Sequence, residues 1–167
     1  MGNFPKRKEI RLKEYDYSQN GRYFVTVCTE KRKNILCSGF ENSVGDGFPV
    51  PELTWIGQMV DKYINEISIK YTAVTVDKYA IMPNHIHLLL TINDKGTGNP
   101  SPTLGNVIGW FKYNSTKAIN NSADNNGNKI WQRSYYDHII RNEADYLEKY
   151  NYIRTNPLKW SEDEYYI

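Results

Sequence analysis

Residues 73–92, AVTVDKYAIMPNHIHLLLTI, hold two apolar, β-branched runs separated only by Met82-Pro83-Asn84. Runs of this length and composition favour strands, and a proline between them breaks or turns the chain. AVTVDKYAIM (73–82) and HIHLLLTI (85–92) therefore read as neighbouring strands close enough to pair antiparallel. The second carries two of the chain's three histidines, one residue apart, where a strand should bury valine and leucine. Side chains alternate faces along a strand, so His85 and His87 project from one face and Ile86 and Leu88 from the other. Two neutral imidazoles side by side on a rigid strand can chelate one divalent metal. A hydrogen-bonded structural pair is the plain alternative. Two ligands also leave such a site incomplete, because divalent ions usually take three or more protein groups, with water in the remainder.

The rest of the chain builds a frame around these strands. RYFVTVCT (22–29) has strand composition. SGFENSVGDGFPVPE (38–52) collects Gly, Pro, Asn and Ser and reads as a loop. TWIGQMVDKYINEI (54–67) has amphipathic helical spacing, with Thr54 as a candidate N-cap. TLGNVIGWFKYNSTKAIN (103–120) is a second helix, with Leu104, Val107, Ile108 and Phe111 on one side. The flanking stretches 93–102 and 121–129 are loops. IWQRSYYDHII (130–140) alternates as a half-buried strand would. Asn142 N-caps a last helix that Pro157 ends. On that helix Tyr152 and Asn156 share a face, whereas Tyr150 lies about 200° around the axis from Tyr152. The order β–α–β–β–α–β–α predicts a ferredoxin-like (RRM-like) α+β sandwich, an antiparallel sheet with helices on one face. Residues 1–167 are expected to form one domain, with 1–20 a basic arm.

Net charge is only +2, but residues 1–33 hold nine Lys/Arg against four acids. That local excess suits either a solvated arm or one that contacts phosphates. No apolar run approaches the roughly 20 residues needed to span a bilayer, and the start of the chain lacks a secretory pattern. Cys28 and Cys37 have no metal-ligand spacing and read as reduced thiols.

Taken together, MPNHIH, RLKEYDYSQNGRYFVTVCT, TLGNVIGWFKYNSTKAIN and WQRSYYDHIIRNEADYLEKYNYIRTNPLKW resemble the HUH single-tyrosine transposases, and specifically their REP-associated branch. The resemblance covers roughly residues 10–160. It implies that His85 and His87 bind Mg²⁺ or Mn²⁺, with Asn156 as a further ligand where insertion-sequence relatives typically carry glutamine. YIRTNP matches the family's Tyr-Ile-x-x-Asn-Pro, which makes Tyr152 rather than Tyr150 the nucleophile. The implied reaction is cleavage and rejoining of single-stranded DNA through a 5′-phosphotyrosine. His138 and Glu148 are auxiliary candidates near the phenol, each with an ordinary structural alternative.

The same resemblance implies a hairpin DNA partner of the REP type, a bacterial cytoplasmic, nucleoid-associated location, and action as a monomer or homodimer. Lys6, Arg7, Lys8, Arg11, Lys13, Lys112, Lys117 and Arg133 are candidate DNA contacts, and Tyr113, Tyr135 and Tyr136 candidate stacking platforms. The rival reading is a ferredoxin-like module that binds nucleic acid without cutting it. Replication initiators and relaxases share the chemistry but are usually longer.

Overall fold

The computed structural model describes residues 17, 20–41, 50–93, 102–122 and 127–166. Its elements run β1 (Gly21–Cys28), β2 (Cys37–Glu41), β3 (Val50–Leu53), α1 (Trp55–Lys70), β4 (Val74–Ile81), β5 (His85–Ile92), α2 (Leu104–Ser122), β6 (Tyr136–Ile140) and α3 (Glu143–Thr155). Short 3-10 turns occupy Glu30–Arg32 and Asn156–Glu162. The antiparallel sheet has the order β4-β5-β1-β6. With α1 joining β1 to β4 and α2 joining β5 to β6, this is the split β-α-β arrangement of a ferredoxin-like fold. The expected arm residues Lys6, Arg7, Lys8, Arg11 and Lys13 lie outside the described residues, as do most of the expected loops at 93–102 and 121–129.

β5 is central, paired with β1 on one side and β4 on the other. Ile86, Leu88, Leu90 and Ile92 face one way and pack with Val60, Ile64 and Ile67 of α1 and Val107, Ile108 and Phe111 of α2. Each such side chain contributes about 1.5–3 kcal/mol when fully buried. The other face is covered as well. Phe24, Ala80 and Leu89 pack there with Ile153 of α3. Thus α3 lies opposite α1 and α2, not with them on a single face. Its helix needs this cover, because only Ile153 of its residues is buried.

Three local expectations change. The stretch 38–52 is not wholly a loop, because β2 and β3 pair at its two ends. Pro51 is tolerated there because a two-stranded ribbon leaves one side of each strand free of ladder bonds. The last sheet strand is confined to 136–140, since residues before it turn inward. Trp131 pairs with Thr29 in an isolated bridge and donates its indole N–H to Ser115 Oγ at 3.0 Å. Pro157 does end α3, but the chain continues at once into the 3-10 turn Asn156–Glu162.

Thr54 caps α1 as expected, accepting the Gly57 N–H at 3.1 Å and donating to the Ile35 carbonyl at 2.6 Å. This brings the helix start against the 35–36 segment so closely that a Cβ on Gly57 would stand 1.9 Å from the Leu36 carbonyl oxygen. The obstruction is backbone, which cannot rotate away. Ala gains about 1 kcal/mol of helix propensity over Gly, but overpacking of this kind costs about 3 kcal/mol or more. Gly57→Ala should therefore lower the melting temperature by roughly 5–10 °C. An unchanged melting curve would show that the two segments separate freely.

Candidate active site

His85 and His87 leave β5 on the face that α3 covers, and both are buried. Across the ladder they oppose Cys28 and Thr26 of β1, and Ala80 of β4 opposes His87. Their Nε2 atoms lie 3.0 Å apart. The Nδ1 atoms are held from behind, His85 by Asn84 Oδ1 at 2.8 Å and His87 by Thr26 Oγ1 at 2.9 Å. Asn84 Nδ2 donates to the Tyr165 carbonyl at 2.8 Å, which fixes its amide so that Oδ1 faces His85. A carbonyl oxygen only accepts, so the proton of His85 sits on Nδ1, and its Nε2, within hydrogen-bond distance of His87 Nε2, presents a lone pair. Burial pushes the His85 pKa down to about 3, with Arg32 adding to the shift. Burial, and then His85 itself, pushes His87 well below its usual value. Both rings are neutral, the form that binds metal.

Other side chains close the pocket. The Tyr152 ring stands edge-on to His87 with centroids 5.2 Å apart, and edge-on to Phe24 at 5.7 Å. It is 38% exposed, so a ligand can reach it from solvent. Burial first, and then the carboxylates of Asp163 and Glu164, raise its pKa to about 12. Tyr150 turns elsewhere, toward Tyr146 and the Lys78 ammonium. Asn156 is buried at the end of α3, and its Nδ2 has no hydrogen-bond partner among the described residues.

Several residues at the site were not expected. The turn after α3 carries Trp160, Asp163 and Tyr165 back over the histidines. Tyr165 stacks at a tilt on His85 with centroids 4.6 Å apart, and Trp160 lies 5.9 Å from the same ring. Asp163 Oδ2 is 4.0 Å from His85 Nε2, with both side chains fully buried. Arg32 stands over the Tyr165 ring at 5.1 Å. It and Lys31 adopt left-handed backbone angles, φ 52° and 56°, a conformation costly for side-chain-bearing residues and frequent beside functional sites. No periodicity in SEDEYY marks these positions, and only the acidic composition there hinted at ligands.

The residues suit a divalent cation. Two adjacent ligands of an octahedral ion bound at about 2.1 Å are roughly 3.0 Å apart, which is the separation of the two Nε2 atoms. Asp163 Oδ2, a buried oxygen beside them, has no hydrogen-bond partner among the described residues.

The auxiliary candidates take other partners. His138 Nε2 is 3.0 Å from both carboxylate oxygens of Asp145, near the N-terminus of α3. Glu148 is exposed and accepts from Lys149 at 2.7 Å. A groove of about 740 Å³ runs along α2, lined by Tyr113, Lys117, Lys129 and Arg133 among others. Lys112 also borders it, but donates to the Gln132 and Arg133 carbonyls at 2.6 and 2.9 Å, so it holds that segment in place. Gln132 N–H donates to the Cys28 carbonyl, which puts the groove beside the histidine end of the sheet. Tyr113 and Tyr136 are exposed, and Tyr135 packs against the main core.

Residues 17–156 match the family of IS200-like transposases. The chain belongs to that family. This IS200-like transposase is 32% identical to an uncharacterized protein of Haemophilus influenzae, over 96% of this chain and 93% of the relative. A second protein of that organism, named only provisionally as a REP-associated tyrosine transposase, is 22% identical over 86% of this chain and 74% of its own length. A solved REP-associated tyrosine transposase bound to a REP hairpin superimposes with a TM-score of 0.63 at 22% identity, covering 92% of this chain and 77% of that one. The kinship with the REP-associated branch read from the four motifs is thus borne out, and so is the α+β fold. Among the described residues, no helix is long and apolar enough to cross a membrane.

Proposed function

We propose that this transposase-family chain cleaves and rejoins single-stranded DNA at hairpins of the REP type, with Tyr152 as nucleophile and a divalent metal, Mg²⁺ or Mn²⁺, held by His85, His87 and Asn156. The observation that carries this reading is the Tyr152 ring set against the buried, neutral histidine pair. Tyr152 Oη attacks phosphorus, the P–O3′ bond breaks, and the chain is left bearing a 5′-phosphotyrosine. The phenol proton is lost to solvent, and the departing 3′ oxygen takes up a proton in turn. One phosphodiester replaces another, so the step reverses when a 3′-hydroxyl attacks, and strands can be joined without ATP. A bound cation would supply charge neutralisation and orientation at the phosphate. Thr26 and Asn84 orient the two rings, and Phe24 fixes the edge of Tyr152.

The test is incubation with labelled hairpin-bearing single-stranded DNA and Mn²⁺, followed by boiling in SDS. A covalent protein–DNA species is expected. Tight binding of the cognate hairpin with no adduct would leave the non-cutting module as the better account.

The groove beside α2 is the proposed path for the DNA backbone, with Lys117 and Arg133, and Lys129 beside them, on phosphates. Lys112 acts there by holding the groove wall. Replacing Lys117 and Arg133 together by Gln should weaken hairpin binding about tenfold and lower the slope of log affinity against log salt by about 2. An unaltered slope would remove these residues from the interface.

A further inference from the structure

We infer that Asp163, on the turn following α3, is a protein ligand of the same divalent ion that His85 and His87 hold. This rests on the metal-binding reading of the site. The carboxylate is placed with care by its surroundings. Oδ1 accepts the Tyr165 N–H at 2.7 Å, leaving Oδ2 buried, without a hydrogen-bond partner among the described residues and 4.0 Å from His85 Nε2. Donor atoms of His85, His87 and Asp163 all lie within 4.8 Å of one another.

A direct hydrogen bond does not account for this approach. At 4.0 Å the pair is beyond hydrogen-bonding range, and His85 carries its proton on the far nitrogen, toward Asn84. His85 Nε2, which presents a lone pair, and Asp163 Oδ2 therefore do not hydrogen-bond each other directly. Buried carboxylate oxygens without a partner are costly, and a cation satisfies both atoms at once. Carboxylate oxygen is also the ligand type that hard ions such as Mg²⁺ and Mn²⁺ favour.

The same residues hold ring and carboxylate in one circuit. Asn84 accepts from His85 Nδ1 through Oδ1 and donates through Nδ2 to the Tyr165 carbonyl. Tyr165 N–H in turn donates to Asp163. Thr29 anchors Asn84 through its carbonyl, by backbone N–H at 2.9 Å and hydroxyl at 3.0 Å. A cation between His85 and Asp163 closes the circuit and ties the turn after α3 to β5.

The experiment is calorimetric titration of the whole chain with Mn²⁺, without DNA, joined to hydrogen exchange of the 160–166 amides. Asp163→Asn and Asp163→Ala should each weaken Mn²⁺ binding at least about tenfold. Mn²⁺ should slow exchange at 160–166 in the parent and not in these variants. Parent-like affinity in both variants, with the slowing retained, overturns the inference. Loss of binding in His87→Ala alongside parent-like binding in Asp163→Asn sinks this inference alone. Absence of Mn²⁺ binding to the parent sinks it together with the metal-dependent part of the proposed function.

Discussion

Tyr152→Phe should lower formation of the covalent DNA adduct by at least about 1,000-fold, because it deletes the attacking oxygen. Hairpin binding should persist, since the ring and its contacts with Phe24 and His87 remain. Two other phenols make the test discriminating. Tyr150 lies near in sequence but packs toward Tyr146. Tyr165 lies near in space, 4.6 Å from His85 between ring centroids, and is the stronger rival. Its main chain, however, is tied to Asn84 and Asp163, and burial raises its pKa too. Tyr150→Phe and Tyr165→Phe should therefore keep most of the adduct. An adduct that survives Tyr152→Phe and vanishes in Tyr165→Phe would move the nucleophile to the turn after α3.

The metal-free protein should lose stability steeply between pH 6.5 and 5. Burial holds His85 at a pKa of about 3 and His87 well below 6.5 in the folded chain. Unfolding returns both to about 6.5, so below that pH the unfolded state binds more protons and stability falls. The contribution is full above pH 6.5 and is lost progressively as pH drops toward the folded values. At about 1.4 kcal/mol per pH unit for each ring, the two together remove on the order of 4 kcal/mol by pH 5, a large share of a typical 5–15 kcal/mol. Arg32 adds to the effect at His85. Ordinary carboxylates titrate mostly below this window. Thermal melts in chelator should show the slope in the parent and lose most of it in His85→Gln/His87→Gln. Parallel slopes in the two proteins would mean that the imidazoles are solvated in the folded state.

Patterns with a short repeat were legible in the sequence. The period-2 alternation of residues 85–92 placed both histidines on one face, and Thr54 and Asn142 marked two helix starts through N-cap chemistry that is wholly local. The spacing of Tyr152 and Asn156 put both on one side of α3. Composition misled where context overrode it. Gly39 and Pro51 look like loop residues, yet β2 and β3 tolerate them in a two-stranded ribbon. Trp131 looks like part of a regular strand, yet its indole is drawn inward to Ser115.

By itself, then, the sequence determined the three helices and the strands that carry the main sheet, the shared face of His85 and His87, and the family kinship carried by its motifs. Only the tertiary structure decided that α3 covers the sheet face opposite α1 and α2, and that Asp163 and Tyr165 return to the histidines. The physical reason is range. Periodicity and capping follow from bonds within a few residues, whereas the path of the turn after α3 is set by Asn84, Arg32 and the histidine rings, partners brought near only when the sheet has formed.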